Sequence, residues 1–261
     1  IQPGFHRKRL EGISKLMVEE IERYMNEVFD RYAASGEEFD MSKAMMHLAF
    51  KIVSRSLFGE AVNDDKLIAI DEIVTKSQQF IINQVRRPFL KPWFWLAGAY
   101  QKNRAIKKRG DELIMEIIKE RQTSGRKHDD LLNMLIETRY EDGTGMTDRQ
   151  LLDEALILYV AGHETSANAM AWAWYLLATH RDIENKLLQS VNNTLGENNP
   201  SFEQLRNLGY SLQVIEETLR LYPPAWLTDR EALADDEVDD IKIKKGNNIA
   251  CLIYGVHHNT R

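Results

Sequence analysis

The chain has 261 residues, 43% hydrophobic and 28% charged, with a formal net charge of −6 and a pI near 5.7. That balance supports a globular protein with a sizeable core. It argues against a nucleic-acid partner, which selects for a basic face. The one cysteine, Cys251, excludes an internal disulfide and fits a reducing, cytoplasmic setting.

Helical periodicity dominates in chain order. The opening IQPGFHRKRL carries no initiator Met and no apolar signal core, and the ending YGVHHNTR has no helix stop, so both ends read as cut from a longer chain. Residues 10–33 place Ile13, Leu16, Met17, Ile21, Tyr24, Met25, Val28 and Phe29 on a helical face, with Gly36 just past the end. Further helices are expected over about 41–57 and 65–84. The stretch RRPFLKPWFWLAG, 86–98, holds Pro88 and Pro92 among four large aromatics and reads as a loop with an apolar face. Residues 99–122 form a charged helix with Ile106, Leu113, Ile114, Ile117 and Ile118 as its buried stripe. DDLLNMLIET, 129–138, begins with acids where a helix dipole prefers them. After a turn at Glu141–Gly145, Thr147 and Gln150 form a capping box that opens a long helix. Its apolar run, 155–179, is long enough to suggest a membrane span. His163 and Glu164 at its centre are too costly there, and a buried core helix is expected. Ser201 and Gln204 form a second box, and the helix after it stops at Tyr222 before Pro223-Pro224. IKIKKGNNIACLIYGV, 241–256, reads as two short strands around a Gly246-Asn247 turn. The fold class is therefore mainly α, a single helical domain over 1–261 with a small β appendage.

The long helix carries AGHETS at 161–166. Burying that many polar groups costs several kcal/mol unless each finds a partner. Thr165 lies one turn after Ala161, whose carbonyl its hydroxyl can reach. Gly162 removes a side chain nearby, which predicts a locally loosened helix with a shallow groove. Glu164 beside Thr165 makes an acid–alcohol pair able to pass protons. A distorted core helix whose polar groups bond one another satisfies the same residues. The zinc-protease pattern HExxH fails, because Ala167 stands at the second histidine position. Carboxylate-x-x-His pairs, GxGxxG, a P-loop and GxSxG are absent.

In EETLRLYPPAW, 216–226, Glu217 and Arg220 are spaced i, i+3. Such a pair on a surface contributes a few tenths of a kcal/mol, about 0.2–0.5; the apolar context predicts a partly buried pair with further partners. Arg230 is a lone base ahead of an acidic stretch. Cys251 is expected as a small core residue on an apolar strand. His257 and His258, adjacent on a predicted strand, point to opposite faces and suit no shared metal.

Taken in order, these motifs resemble a cytochrome P450. AGHETS is similar to the family's I-helix motif A/G-G-x-D/E-T-T/S, ETLR to its K-helix ExxR, and Tyr254 to Arg261 fit the slot after the following strand. The agreement runs from about Pro3 to Arg261 and implies a central piece of the family's helical domain, incomplete at both ends. The resemblance implies heme b (iron protoporphyrin IX) as cofactor. Glu164 and Thr165 would support proton delivery, and Ala161 and Gly162 would line the distal heme face. Arg230 would hold a heme propionate, and Glu217 with Arg220 would form the family's structural pair. The Phe89–Trp95 stretch would lie over the substrate entrance. The family's Phe-x-x-Gly-x-Arg-x-Cys-x-Gly ligand loop has no counterpart in these residues, so the chain itself offers no axial metal ligand and is expected to be inactive alone. The implied parent is a heme-thiolate monooxygenase that inserts one oxygen atom of O2 into a small apolar organic substrate. Its electrons would come from a reductase or ferredoxin. The alternative is a helical binding or scaffold protein that keeps the fold without redox chemistry.

Overall fold

The computed structural model describes residues 7–59, 62–125 and 130–259. Expectations that touch residues 1–6, Asp129, Thr260 or Arg261 lie outside the described residues. The chain divides into two compact units, Ile1–Glu37 with His47–His163, and Glu38–Met46 with Glu164–Arg261.

In the first unit, α1 (Arg7–Tyr24) runs through a π-helical turn, Met25–Phe29, into α2 (Asp30–Ser35), which Gly36 closes. Then follow α3 (Met41–Phe58), whose first turns belong to the second unit, and α4 (Asp64–Arg86). Asn63 caps α4 by accepting from the Asp65 N–H at 2.8 Å. Next come α6 (Ala99–Ser124), α7 (Leu131–Glu137) and α8 (Asp148–Thr179). The capping box that opens α8 is formed in both directions. Thr147 N–H donates to Gln150 Oε1 at 2.9 Å, and Gln150 N–H donates to Thr147 Oγ1 at 3.3 Å. Phe58, Ile70, Ile114, Ile118, Leu132, Leu135 and Tyr159 centre the core of this unit, all at 1% exposure or less. Each such side chain stabilises by roughly 1.5–3 kcal/mol through burial. Close approach of α4 and α6 depends on Gly110, where a Cβ would meet Ile73 Cγ2 at 2.7 Å.

The proline-rich stretch between α4 and α6 is not the expected loop. Pro88–Leu90 is a 3₁₀ turn, and Lys91–Leu96 is a short helix, α5. Both prolines sit in a first turn, where a helix has no use for their missing N–H, so they start these helices rather than break them. Edge-to-face rings, Phe80 with Phe94 at 6.1 Å and Phe80 with Tyr100 at 5.4 Å, join α4, α5 and α6.

The second unit contains the rest of α8, then α9 (Arg181–Leu195) and α10 (Gly209–Leu221). The Ser201–Gln204 box forms but caps only a 3₁₀ turn, Gln204–Asn207, ahead of α10. α10 ends as expected before Pro223, and the Tyr222 ring stacks on Trp172 of α8 with centroids 3.9 Å apart. The sheet region departs from the sequence reading. β1 (Thr228–Glu231) pairs antiparallel with β4 (Asn248–Cys251), and β2 (Asp236–Val238) with β3 (Ile241–Ile243). The strands flanking the Gly246-Asn247 turn thus take other partners, and that turn bonds back to the Ala232 carbonyl at 2.8 Å. The tight hairpin lies instead at Asp239-Asp240, where Asp239 takes the positive φ of 51° that aspartate tolerates. Past β4 the chain forms a helix, α11 (Ile253–His257), not a strand.

Candidate functional site

The motif helix α8 is continuous α-helix over its whole length, so the expected loosening at 161–166 is not present. Leu151, Leu152, Ala155, Tyr159, His163 and Ala167 form its buried stripe, spaced by three and four. Within AGHETS, His163 is the one buried polar side chain, while Glu164 is half-buried and Thr165 and Ser166 are exposed. The desolvation problem is therefore concentrated at His163. Its Nδ1 lies 3.5 Å from Asp71 Oδ1 on α4, and the same oxygen accepts from Tyr159 Oη at 2.9 Å. Burial, and then the Asp71 charge, push the Tyr159 phenol well above its usual range, so it stays neutral and donates. Sequence reading missed this trio because Asp71 is remote in the chain. The available signal was the i, i+4 placement of Tyr159 and His163 on the buried face.

Gly162 does not open a groove. A Cβ there would come 3.0 Å from Val53 Cγ2, so the glycine lets α8 approach α3. Ala161 is exposed and takes part in a different feature, an apolar cavity of about 490 Å³ between α4, α6 and α8. Ile70, Ile73, Val74 and Ile81 line it from α4, Ile114 from α6, and Leu156, Ile157, Val160 and Ala161 from α8. The neighbouring segment carries Phe89, Trp93 and Trp95 exposed, at 75%, 66% and 66%.

In the second unit Arg220 grips Glu217 with two hydrogen bonds, Nε to Oε2 and Nη2 to Oε1, both 2.7 Å. Arg220 Nη1 also donates to the His257 carbonyl at 3.1 Å, and His257 Nδ1 lies 3.2 Å from the Arg220 carbonyl, which clasps α10 to α11. The pair is exposed rather than partly buried, because α10 turns Thr218 inward and these two outward. The Arg220 hydrogen bonds hold the Glu217 carboxyl below the usual carboxylate range. Its contribution is present above the unfolded carboxylate value, about 4.3, and is lost as pH falls through the lowered folded value. Acidification below about pH 4 should therefore loosen the α10–α11 clasp without unfolding the chain, since the pair is solvent-screened. Nuclear magnetic resonance shifts of Arg220 Nε–H and of the Tyr254 ring report it. Cooperative unfolding in that range would contradict the exposed geometry.

Arg230 lies exposed on β1, and its Nη1 donates to Thr228 Oγ1 at 3.1 Å and to the Asp229 carbonyl at 2.6 Å. Cys251 is exposed and not a core residue, since every residue of the two-stranded β4 edge is open to solvent. His258 follows α11, its ring stacked on Tyr254 at 4.1 Å and its Nδ1 2.9 Å from the Tyr254 carbonyl. Among the described residues, no group of three or more His, Cys, Asp or Glu is placed to hold a metal ion, and no helix is long and apolar enough to cross a membrane.

The family model described as cytochrome P450 matches residues 2–261. A cyclooctat-9-en-7-ol 5-monooxygenase of Streptomyces melanosporofaciens is 28% identical over 261 residues, which cover 99% of this chain and 56% of that protein. A cytokinin hydroxylase of Arabidopsis thaliana is 31% identical over 98% of this chain and 51% of its own length. The crystal structure of the cytochrome P450DA heme domain matches with a TM-score of 0.81 at 22% identity, over 98% of this chain and 55% of that one. The chain spans about half the length of the curated relatives it matches. Nearly every residue, from ahead of α1 to beyond α11, is thus accounted for by one family, and the chain belongs to the cytochrome P450 family.

Proposed function

We propose that the full-length protein is a heme-thiolate monooxygenase that inserts one oxygen atom of O2 into a small apolar organic substrate. The observation that carries this reading is the apolar cavity that reaches Ala161 at the head of the AGHETS motif. The monooxygenase name of the Streptomyces relative supports it. The exposed guanidinium of Arg230 has the charge to bind a carboxylate-bearing cofactor. Heme b, when bound, supplies the iron at which dioxygen is activated.

The chain's own residues do the rest. Ala161 keeps side-chain bulk off the distal side, while Gly162, expected there too, gives its space to Val53 of α3. The isoleucine-rich walls hold an apolar substrate. Glu164 and Thr165 pass protons from solvent to that side. Arg230 binds a heme carboxylate through charge-assisted hydrogen bonds, and Glu217 with Arg220 braces α10 against α11. The axial thiolate comes from sequence outside these 261 residues, since Cys251 stands on a solvent-exposed edge strand. The two units are parts of one helical domain. Electrons come from a reductase or ferredoxin, and the unpaired Cys251 thiol suits a cytoplasmic location.

The full-length protein, reduced and exposed to carbon monoxide, should give the strongly red-shifted Soret band of a thiolate complex. Well-folded protein that takes up no heme would establish the scaffold alternative instead.

A further inference from the structure

We propose that Asp71 is a positioning residue, a latch that ties α4 to α8 through Tyr159 and His163 and so controls the passage of large ligands into the apolar cavity. The proposal rests on the reading of that cavity as the substrate site.

Asp71 stands between Ile70 and Ile73 of α4, which line the cavity, while Tyr159 and His163 bracket Val160 and Ala161 of α8, which line the same cavity. Two helices that both line the cavity are thus joined by one carboxylate oxygen. Tyr159 and His163 are buried at 1% and 7% exposure, and their rings pack 5.8 Å apart with Phe50 6.1 Å from His163. Asp71 is the water-facing member, its side chain 31% exposed. An outward shift of α4 breaks a charge-assisted bond to a buried hydroxyl, which makes that shift costly. The break is reversible, because water can take over the exposed carboxylate but reaches Tyr159 only once α4 has moved. A core hydrogen bond needed for folding alone has no reason to sit at the seam between two cavity walls with its acceptor on the outside.

The test uses the full-length protein with Asp71→Ala, Tyr159→Phe and the double variant. Imidazole is the small probe and 4-phenylimidazole the large one, and their association and dissociation rates are followed by the Soret shift. The latch requires 4-phenylimidazole to enter and leave about tenfold faster in each single variant, as expected for loss of one charge-assisted bond. Imidazole rates should be little changed, and the double variant should add little to either single one. Hydrogen exchange should quicken in α4 and stay unchanged in α7. Equal acceleration of both probes, or exchange that rises in α4 and α7 together, describes general loosening and overturns the latch. Additive effects in the double variant overturn it as well. If the wild-type protein gives no Soret shift with imidazole, the heme reading fails, and the α4-to-α7 exchange comparison still decides the latch.

Discussion

Asp130→Ala should destabilise the protein by about 3–5 kcal/mol, the cost of leaving a buried charge without its partner. Asp130 and Arg121 are ion-paired with side chains 2% and 5% exposed. Arg121 Nη2 also donates to the Phe58 carbonyl at 2.7 Å, while Asp130 Oδ1 accepts from the Asn133 N–H at 2.8 Å as the N-cap of α7. Two side chains thus fasten the end of α3, the last turns of α6 and the start of α7. Alanine removes the cap, worth about 1 kcal/mol, and strands the guanidinium among apolar side chains. Against a typical total of about 5–15 kcal/mol the loss is large. Asp130→Asn keeps the capping oxygen and removes the charge, so it should fall between alanine and the native residue. Urea unfolding midpoints at constant m-value measure both. A shift of under about 1 kcal/mol for alanine would mean that water replaces the carboxylate and that the pair is not sealed.

The elements that could be read from the sequence were those set by local rules. The Thr147–Gln150 box, the apolar stripe of α6 from Leu113 to Ile118 and the stop before Pro223 depend on neighbours within one helical turn, and the structure places these as expected, while Ile106 of the same stripe is only half-buried. What escaped was set by distance in the chain. The Arg121–Asp130–Phe58 fastening and the Asp71–Tyr159–His163 trio join residues on separate helices, and nothing local marks Asp71 or Asp130 as partners. The strand pairing failed for a related reason. Gly246-Asn247 has the composition of a hairpin turn, yet Asp239-Asp240 makes the hairpin, because aspartate reaches positive φ without glycine's signature. The apolar neighbours of Cys251 predict burial, whereas burial follows from what covers the strand, and among the described residues β4 pairs with β1 alone. At the candidate site, the motif residues were legible as a group, but not which of them is buried. The helix resolves that by turning His163 inward and leaving Thr165 outward.

That outward placement bears on Thr165→Ala, which should lower product formed per reduced nicotinamide by at least about tenfold in the full-length protein, since a positioned proton donor contributes about 10²–10⁴-fold. Thr165 and Glu164 are successive on an unbroken α8, the hydroxyl exposed and the carboxylate half-buried, so the pair spans solvent-facing and sheltered positions without any distortion of the helix. Insertion of one oxygen atom into a C–H bond and release of hydrogen peroxide each take two electrons and two protons per O2. The two routes differ in whether protons arrive in order at the oxygen that leaves as water. On the proposed role of Thr165, loss of the hydroxyl would remove that ordering while leaving the fold and the apolar walls in place. Peroxide released per nicotinamide should therefore rise as product falls, with heme content and melting temperature unchanged. Thr165→Ser restores a hydroxyl at the same helical position and should recover most of the coupling. Glu164→Gln should resemble alanine at 165, because a neutral amide neither takes up nor gives a proton near neutral pH. Coupling that is the same in wild type, Thr165→Ala and Glu164→Gln would remove both residues from proton delivery and leave α8 only the task of forming the cavity wall.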